Sequence, residues 1–213
     1  MFGTNLDLIR VKKDCRRSAN KIIKTYSGIV DAEGYLNKKS YQSELSTQLD
    51  KAPVTSKLHD HYNLFTFPYQ GIVDVYKSVI DAFNDVNVYD EQYCVHAWLN
   101  YQHKGESIPW HNHWKGLSGL DRTFVATCYI NAESSVTTYK YPDGVLYDHK
   151  CKNNTISIFE DIGDIHQVSE WTEDEPRITI SMDFVPMRYV QGTPYVSNTW
   201  IPIINATSCI TLL

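Results

Sequence analysis

The spacing of apolar residues changes character near residue 90. Ile72, Val75, Tyr76, Val79, Ile80 and Phe83 recur every three or four positions after Pro68, which predicts an amphipathic helix that needs a sheet to pack against. Upstream, the pattern predicts a short strand around Leu6 to Val11 and a helix from an Asp14 N-cap to about Tyr26. Ser27 to Ser56 is polar and without period, so it is expected to form surface loops. From Tyr93 onward short runs rich in Val, Ile, Thr, Tyr and Phe take over: Tyr93-Tyr101, Thr123-Asn131, Val136-Tyr141, Val145-Lys150, Thr155-Phe159, His166-Trp171 and Arg177-Val185. Pro142-Asp143-Gly144, Asn153-Asn154 and Glu173-Asp174-Glu175-Pro176 supply the turns between them. Short strands at this spacing predict a mainly β sandwich or jelly roll, with the N-terminal helices packed on one outer face. No repeat, low-complexity tract or linker interrupts the chain. A single domain over 1–213 is therefore expected, with 1–90 as helical and irregular support, 91–190 as the β core and 191–213 as an extension.

Composition narrows the class. Apolar residues make up 42% and charged ones 21%, enough for a globular core. Fifteen tyrosines suit strands and half-wet cavities. A net charge of −5 argues against strong non-specific binding to nucleic acid or to an anionic membrane, while leaving a locally gripped nucleotide open. Five cysteines, an odd number with no C-x-x-C pair, read as reduced thiols. Met1 to Lys13 has no apolar run of signal-peptide type, and Trp200 to Leu213 is too short and interrupted to span a bilayer. The expectation is a soluble, cytoplasmic protein.

The stretch Pro109-Trp110-His111-Asn112-His113-Trp114 carries the chemistry. On a strand, residues two apart project to the same side, about 6.6 Å apart at Cα. Two such imidazoles can meet one metal at about 2.1 Å each. His166, at the opening of a later strand, is the candidate third ligand. Three protein ligands of this kind leave positions open for a co-substrate and O2. Leu58-His59-Asp60-His61 also contains H-x-D and H-x-H, but it precedes the strands and has no downstream partner, so solvated loop histidines are the preferred reading there. His96, His103 and His149 have no spacing argument. Trp110 and Trp114 either line a substrate entrance or pack.

Arg177 opens an alternating strand in which Ile178, Ile180, Met182 and Phe184 share one face and Arg177, Thr179, Ser181 and Asp183 the other. An arginine on the inner face of a barrel is costly unless it meets an anion. A dicarboxylate such as 2-oxoglutarate fits, its far carboxylate gripped bidentately while the keto-acid end chelates the metal. An internal ion pair with Asp183 or Glu170 is the alternative.

On these residues, Tyr93 to Pro186 resembles the 2-oxoglutarate- and Fe(II)-dependent dioxygenases, closest in pattern to the prolyl-hydroxylase-like branch. The resemblance implies a cupin-like double-stranded β-helix. It also implies Tyr101 and Tyr129 as tyrosines that reach 2-oxoglutarate, His166 as the distal ligand, and Arg177 as the arginine that holds the far carboxylate. Arg177-Ile178-Thr179 is similar to the R-x-S pattern of other branches, which brings Thr179, with Ser181 beside it, to the co-substrate. The family has H-x-D or H-x-E where this chain has His113. Three neutral imidazoles leave the site one negative charge short, which opens the choice between Fe and Zn, with Asp164 as an alternative carboxylate ligand.

The implied activity is hydroxylation by Fe(II), O2 and 2-oxoglutarate, with release of succinate and CO2. Two rivals stand beside it: a three-histidine cupin-type dioxygenase that needs no 2-oxoglutarate, and a non-catalytic jelly-roll module that binds a metal or ligand. The sequence does not disclose the prime substrate or the oligomeric state. Ser27-Ser56 and Lys115-Arg122 are the loops expected to shape the substrate site.

Overall fold

Nine strands form two antiparallel sheets in the computed structural model, which describes residues 6–32, 51–113, 121–141, 143–160, 165–192 and 199–203. The strands are β1 (Tyr93–Gln102), β2 (Ile108–His111), β3 (Phe124–Asn131), β4 (Val136–Lys140), β5 (Leu146–Lys150), β6 (Thr155–Glu160), β7 (Ile165–Val168), β8 (Arg177–Pro186) and β9 (Ile201–Pro202). The larger sheet runs β6-β3-β8-β1-β9 and the smaller β2-β7-β4-β5. The fold is the mainly β jelly roll that the alternation predicts. All seven strands predicted from Tyr93 onward are present. The two additional ones are short, and β2 carries Pro109, a residue tolerated because β2 is an edge strand. Gly144 (φ +85°) and Asn154 (φ +60°) occupy the left-handed positions of the turns that flank β5.

Strand parity sorts the residues of the larger sheet. Val95, Ala97, Leu99 and Tyr101 of β1, Phe124, Ala126, Cys128 and Ile130 of β3, and Ile178, Ile180, Met182 and Phe184 of β8 join one buried apolar cluster. The helices α1 (Leu8–Ala32) and α3 (Gln70–Val86) complete it with Val11, Cys15, Ala19, Ile22, Ile72, Val75, Val79 and Phe83. Phe83 stacks face to face on Phe184, with centroids 4.3 Å apart. The main apolar core thus lies between helices and sheet, and the opposite face of the sheet is left for polar residues.

The predicted start of the chain is corrected here. No strand covers Leu6 to Val11; helix α1 begins at Leu8, and the Asp7 carboxylate accepts the Arg10 N–H at 3.1 Å, as an N-cap does. Val11, Cys15, Ala19 and Ile22 form a helical stripe whose burial decides the conformation. Asp14 therefore lies inside the helix, and its carboxylate accepts the backbone N–H of Gly71 at 2.9 Å, in the first turn of α3. It caps a different helix from the one its spacing suggested.

The segment 53–62, which includes the short helix α2 (Val54–Lys57), covers part of β1 that β9 does not reach. Thr55 Oγ1 accepts the Tyr101 N–H at 3.1 Å and Tyr62 Oη accepts the Leu99 N–H at 2.9 Å. Side chains here stand in for a neighbouring strand along this part of β1. A short helix α4 (Met187–Gly192) follows β8. Cys15, Cys94, Cys128 and Cys151 are free and buried; Cys209 lies outside the described residues. No helix among the described residues is long and apolar enough to cross a membrane.

Gly71 marks the closest approach of α1 and α3. A Cβ added there would lie 2.9 Å from both Val11 Cα and Asp14 Oδ2. The Val11 contact is backbone, so the helices must separate. Gly71→Ala is expected to cost about 1–3 kcal/mol and lower Tm by several degrees in a calorimetric scan. An unchanged Tm would show that this contact is not tight.

Candidate metal centre and its cavity

Parity also builds the site. The inward residues of β8 are Arg177, Thr179, Ser181 and Asp183; opposite them in register on β1 are Gln102, Asn100, Trp98 and His96. With Val125 and Thr127 of β3 and Thr137 and Tyr139 of β4, most of these line a cavity of about 290 Å³ between the sheets. That volume is near the lower end for small-ligand pockets.

His111, His113 and His166 meet at this cavity, each offering one ring nitrogen, all within 4.8 Å of one another. His111 ends β2 and pairs with His166 of β7 across the ladder. His113 lies beyond β2, so a bend after His111 brings it round, where strand alternation was the expected device. The His113 and His166 Nε2 atoms are 3.4 Å apart. Two ligands about 2.1 Å from a common tetrahedral ion are separated by about 3.4 Å, so the pair has the spacing of a metal edge.

Hydrogen bonds set which nitrogens face inward. Pro109 O can only accept, so His111 Nδ1, 2.8 Å away, carries its proton and Nε2 keeps a lone pair. Asp183 Oδ1 lies 2.5 Å from His113 Nδ1 and does the same for that ring. The carboxylate–imidazole pair raises the basicity of the ligand nitrogen and returns a negative charge one bond behind the metal position. The charge that an H-x-H sequence lacks is thereby supplied from β8. Asp164 lies outside the described residues. Burial, followed by the neighbouring His113, pushes the His111 pKa down to about 4, so this ring stays neutral and available near pH 7. The donor set fits a divalent metal with open positions. His166 lies tilted against Tyr139 (5.4 Å), and His113 against Trp98 (5.6 Å).

Arg177 lies at the other end of β8, 1% exposed. Its Nε donates to Ser135 Oγ at 2.8 Å, and Nη1 donates to Thr179 Oγ1 at 3.3 Å and Gln102 Oε1 at 3.4 Å. These acceptors are neutral. Among the described residues no carboxylate forms an ion pair with Arg177: Asp183 is committed to His113, and Glu170 pairs with Lys51. Burial lowers the Arg177 pKa from its ordinary value. A cation enclosed by neutral groups is a standing demand for an anion.

Not every predicted site residue comes to the cavity. Tyr101 has the parity of Leu99 and faces the helices, where its hydroxyl accepts from Arg16 Nε at 3.2 Å. Its neighbour Asn100 takes the cavity side. Tyr129 is buried beside Arg177, with hydroxyl contacts to Ser157 and Thr137; burial pushes its pKa up to about 12. It backs the arginine without lining the cavity. Thr179 and Ser181 line it, as does Trp110; Trp114 lies outside the described residues. His59 and His61 are not a solvated pair: His59 lines the rim against Trp98, and His61 stacks on Tyr26 away from the cavity. Asp183 and Asn100 are the residues that spacing alone did not assign. Their signal was the polar parity of β1 and β8, which shows a face but not a partner.

Neither a protein-family model nor a curated protein matches the sequence. Among solved structures, the chain is similar to an oxidoreductase of the 2OG-Fe(II) oxygenase family from Burkholderia pseudomallei (TM-score 0.46, 11% identity, 55% of this chain and 57% of that one). It is similar to a prolyl-4-hydroxylase from Pseudomonas putida (0.41, 17%, 54% and 65%). It is also similar to ThoJ, a non-haem monooxygenase solved with nickel (0.43, 14%, 83% and 70%). The match spans less than two thirds of the length of the first two. These likenesses concern the path of the chain, and the chemical argument rests on the site itself.

The protein is expected to bind one divalent ion, read by calorimetric titration with Zn(II) or Co(II). His113→Ala or His166→Ala should abolish binding, and Asp183→Asn should weaken it about 10–100-fold; full affinity in Asp183→Asn would remove its role behind His113. Acid should destabilise the metal-free form. His111 takes up a proton near pH 6.5 when unfolded but only near 4 when folded, so the unfolded state binds more protons between these values and stability falls as pH falls. The loss approaches about 3 kcal/mol by pH 4, and His111→Gln should flatten it in denaturant titrations across that window.

Proposed function

We propose that the cavity is the active site of a non-haem Fe(II), 2-oxoglutarate-dependent oxygenase that hydroxylates a prime substrate and releases succinate and CO2. One observation carries the reading: a three-imidazole metal cluster and a buried arginine facing only neutral acceptors share one cavity. The spacing suits a short diacid. Arg177 bonds Thr179, and His113 is held by Asp183, four residues further along β8 or about 13 Å at Cα; side chains from both ends shorten the gap.

In this reading His111, His113 and His166 hold the metal, and Arg177 with Thr179 and Ser181 holds the remote carboxylate of 2-oxoglutarate. Bound Fe(II) would supply O2 activation for C–H oxidation, coupled to oxidative decarboxylation of the co-substrate. The chain's own groups supply placement. Asp183 keeps the His113 proton on Nδ1 and the ring fixed. Gln102, Ser135 and Tyr129 pack around Arg177 so that it presents one geometry. Trp98, Tyr139 and Phe159 wall the centre and limit water there. Residues 1–213 act as one domain, with 91–190 carrying the chemistry.

A second reading, a three-histidine oxygenase without 2-oxoglutarate, is favoured by the all-imidazole ligand set and by Tyr101 facing the helices. Titration of anaerobic Fe(II) protein with 2-oxoglutarate separates the two. The first reading expects a visible charge-transfer band and succinate on exposure to O2 with substrate. It also expects Arg177→Gln to weaken 2-oxoglutarate binding about 30-fold or more. A wild-type protein with neither band nor succinate would favour the second.

A further inference from the structure

Asn100 is a polar side chain of the cavity wall, held by three hydrogen bonds, that the proposed chemistry does not use. It is 3% exposed and faces Thr179 across the β1–β8 ladder. Its amide donates to Ser181 Oγ at 2.8 Å and to Thr179 Oγ1 at 3.2 Å, and its carbonyl accepts from Ser56 Oγ at 2.6 Å. Three elements are joined through this one side chain: β1, β8 and the segment that covers the edge of β1.

The hydroxyls it touches have a limited inventory, one hydrogen to give and two lone pairs to receive. Thr179 Oγ1 receives Asn100 Nδ2 and Arg177 Nη1, which fills both lone pairs. Only its O–H remains, and it can only be given away. Ser181 Oγ receives Asn100 Nδ2, so its hydrogen also is not spent on that amide. Both residues line the cavity, and with Arg177 they make β8 a wall that offers hydrogens. Such a wall suits a carboxylate and penalises a ligand that needs to donate.

We propose that Asn100 is a positioning residue of the co-substrate site, one that fixes the Thr179 and Ser181 hydroxyls as donors to the ligand carboxylate. The proposal rests on the 2-oxoglutarate reading above. Without the amide, both hydroxyls regain the option of turning lone pairs toward the anion, and part of the binding free energy goes to reorienting them. Ser56 holds the Asn100 carbonyl, so the amide cannot swing away from β8.

The test is calorimetric titration of Co(II)-loaded protein with 2-oxoglutarate, a binding measurement that needs no turnover. Asn100→Leu keeps the shape and removes the polar atoms; Asn100→Ser is a smaller, polar fallback should the first fold poorly. Either is expected to weaken 2-oxoglutarate binding about 5- to 15-fold, with the Co(II) affinity unchanged within about twofold. The double variant with Ser181→Ala should lose less than the product of the two single losses, because both changes act on the Ser181 hydroxyl and only the Asn100 change also frees Thr179. Wild-type affinity in both Asn100 variants, or fully multiplicative losses in the double variant, would overturn the role of Asn100 alone. A wild-type protein that binds Co(II) but no 2-oxoglutarate would overturn the co-substrate reading, and this inference with it.

Discussion

A strand has two faces, and β8 uses them for opposite purposes. Its even residues, Ile178 to Phe184, are buried under helices α1 and α3; its odd residues, Arg177 to Asp183, face the space between the sheets. A slip of one residue in the pairing of β8 with β1 and β3 would exchange the two sets. It would bury a guanidinium and a carboxylate in the apolar cluster and turn four large apolar side chains toward the metal centre. The hydrophobic burial that holds the register therefore also places every inward polar group.

Charge in the cavity follows from that placement. Asp183 and Arg177 have the same parity on one strand, close enough in sequence to suggest a pair, yet the structure keeps them apart. Asp183 is spent on His113, which makes an all-histidine ligand set electrically closer to one with a carboxylate. Arg177 is left with neutral acceptors. Each charge is buried; Asp183 accepts the ring N–H of His113, while Arg177 has only neutral acceptors among the described residues. In the proposed reading, that asymmetry lets the cavity take an anion at the Arg177 end and a cation at the histidine end.

The N-terminal residues are more than a support. Asp14 of α1 caps α3, Thr55 and Tyr62 serve the β1 backbone in place of a neighbouring strand, and Ser56 holds the Asn100 side chain. The same covering segment carries His59 to the cavity rim. Helix packing, edge protection and the shape of the site thus draw on one N-terminal region and one shared core.

Periodicity alone determined seven of the nine strands, helix α3, and the two faces of β8, because alternation and helical spacing are local properties that burial later uses unchanged. Motif spacing singled out His111, His113 and His166, and strand parity singled out Arg177, with an internal ion pair as its alternative. Partner choice was decided by tertiary structure. Whether Asp14 capped its own helix or another, whether Tyr101 or Asn100 faced the cavity, and whether Asp183 met Arg177 or His113 all depend on which elements come to lie side by side. A hydrogen bond between residues 70 positions apart, such as His113 to Asp183, leaves no period in the chain. It exists only once both sheets have closed around the same space.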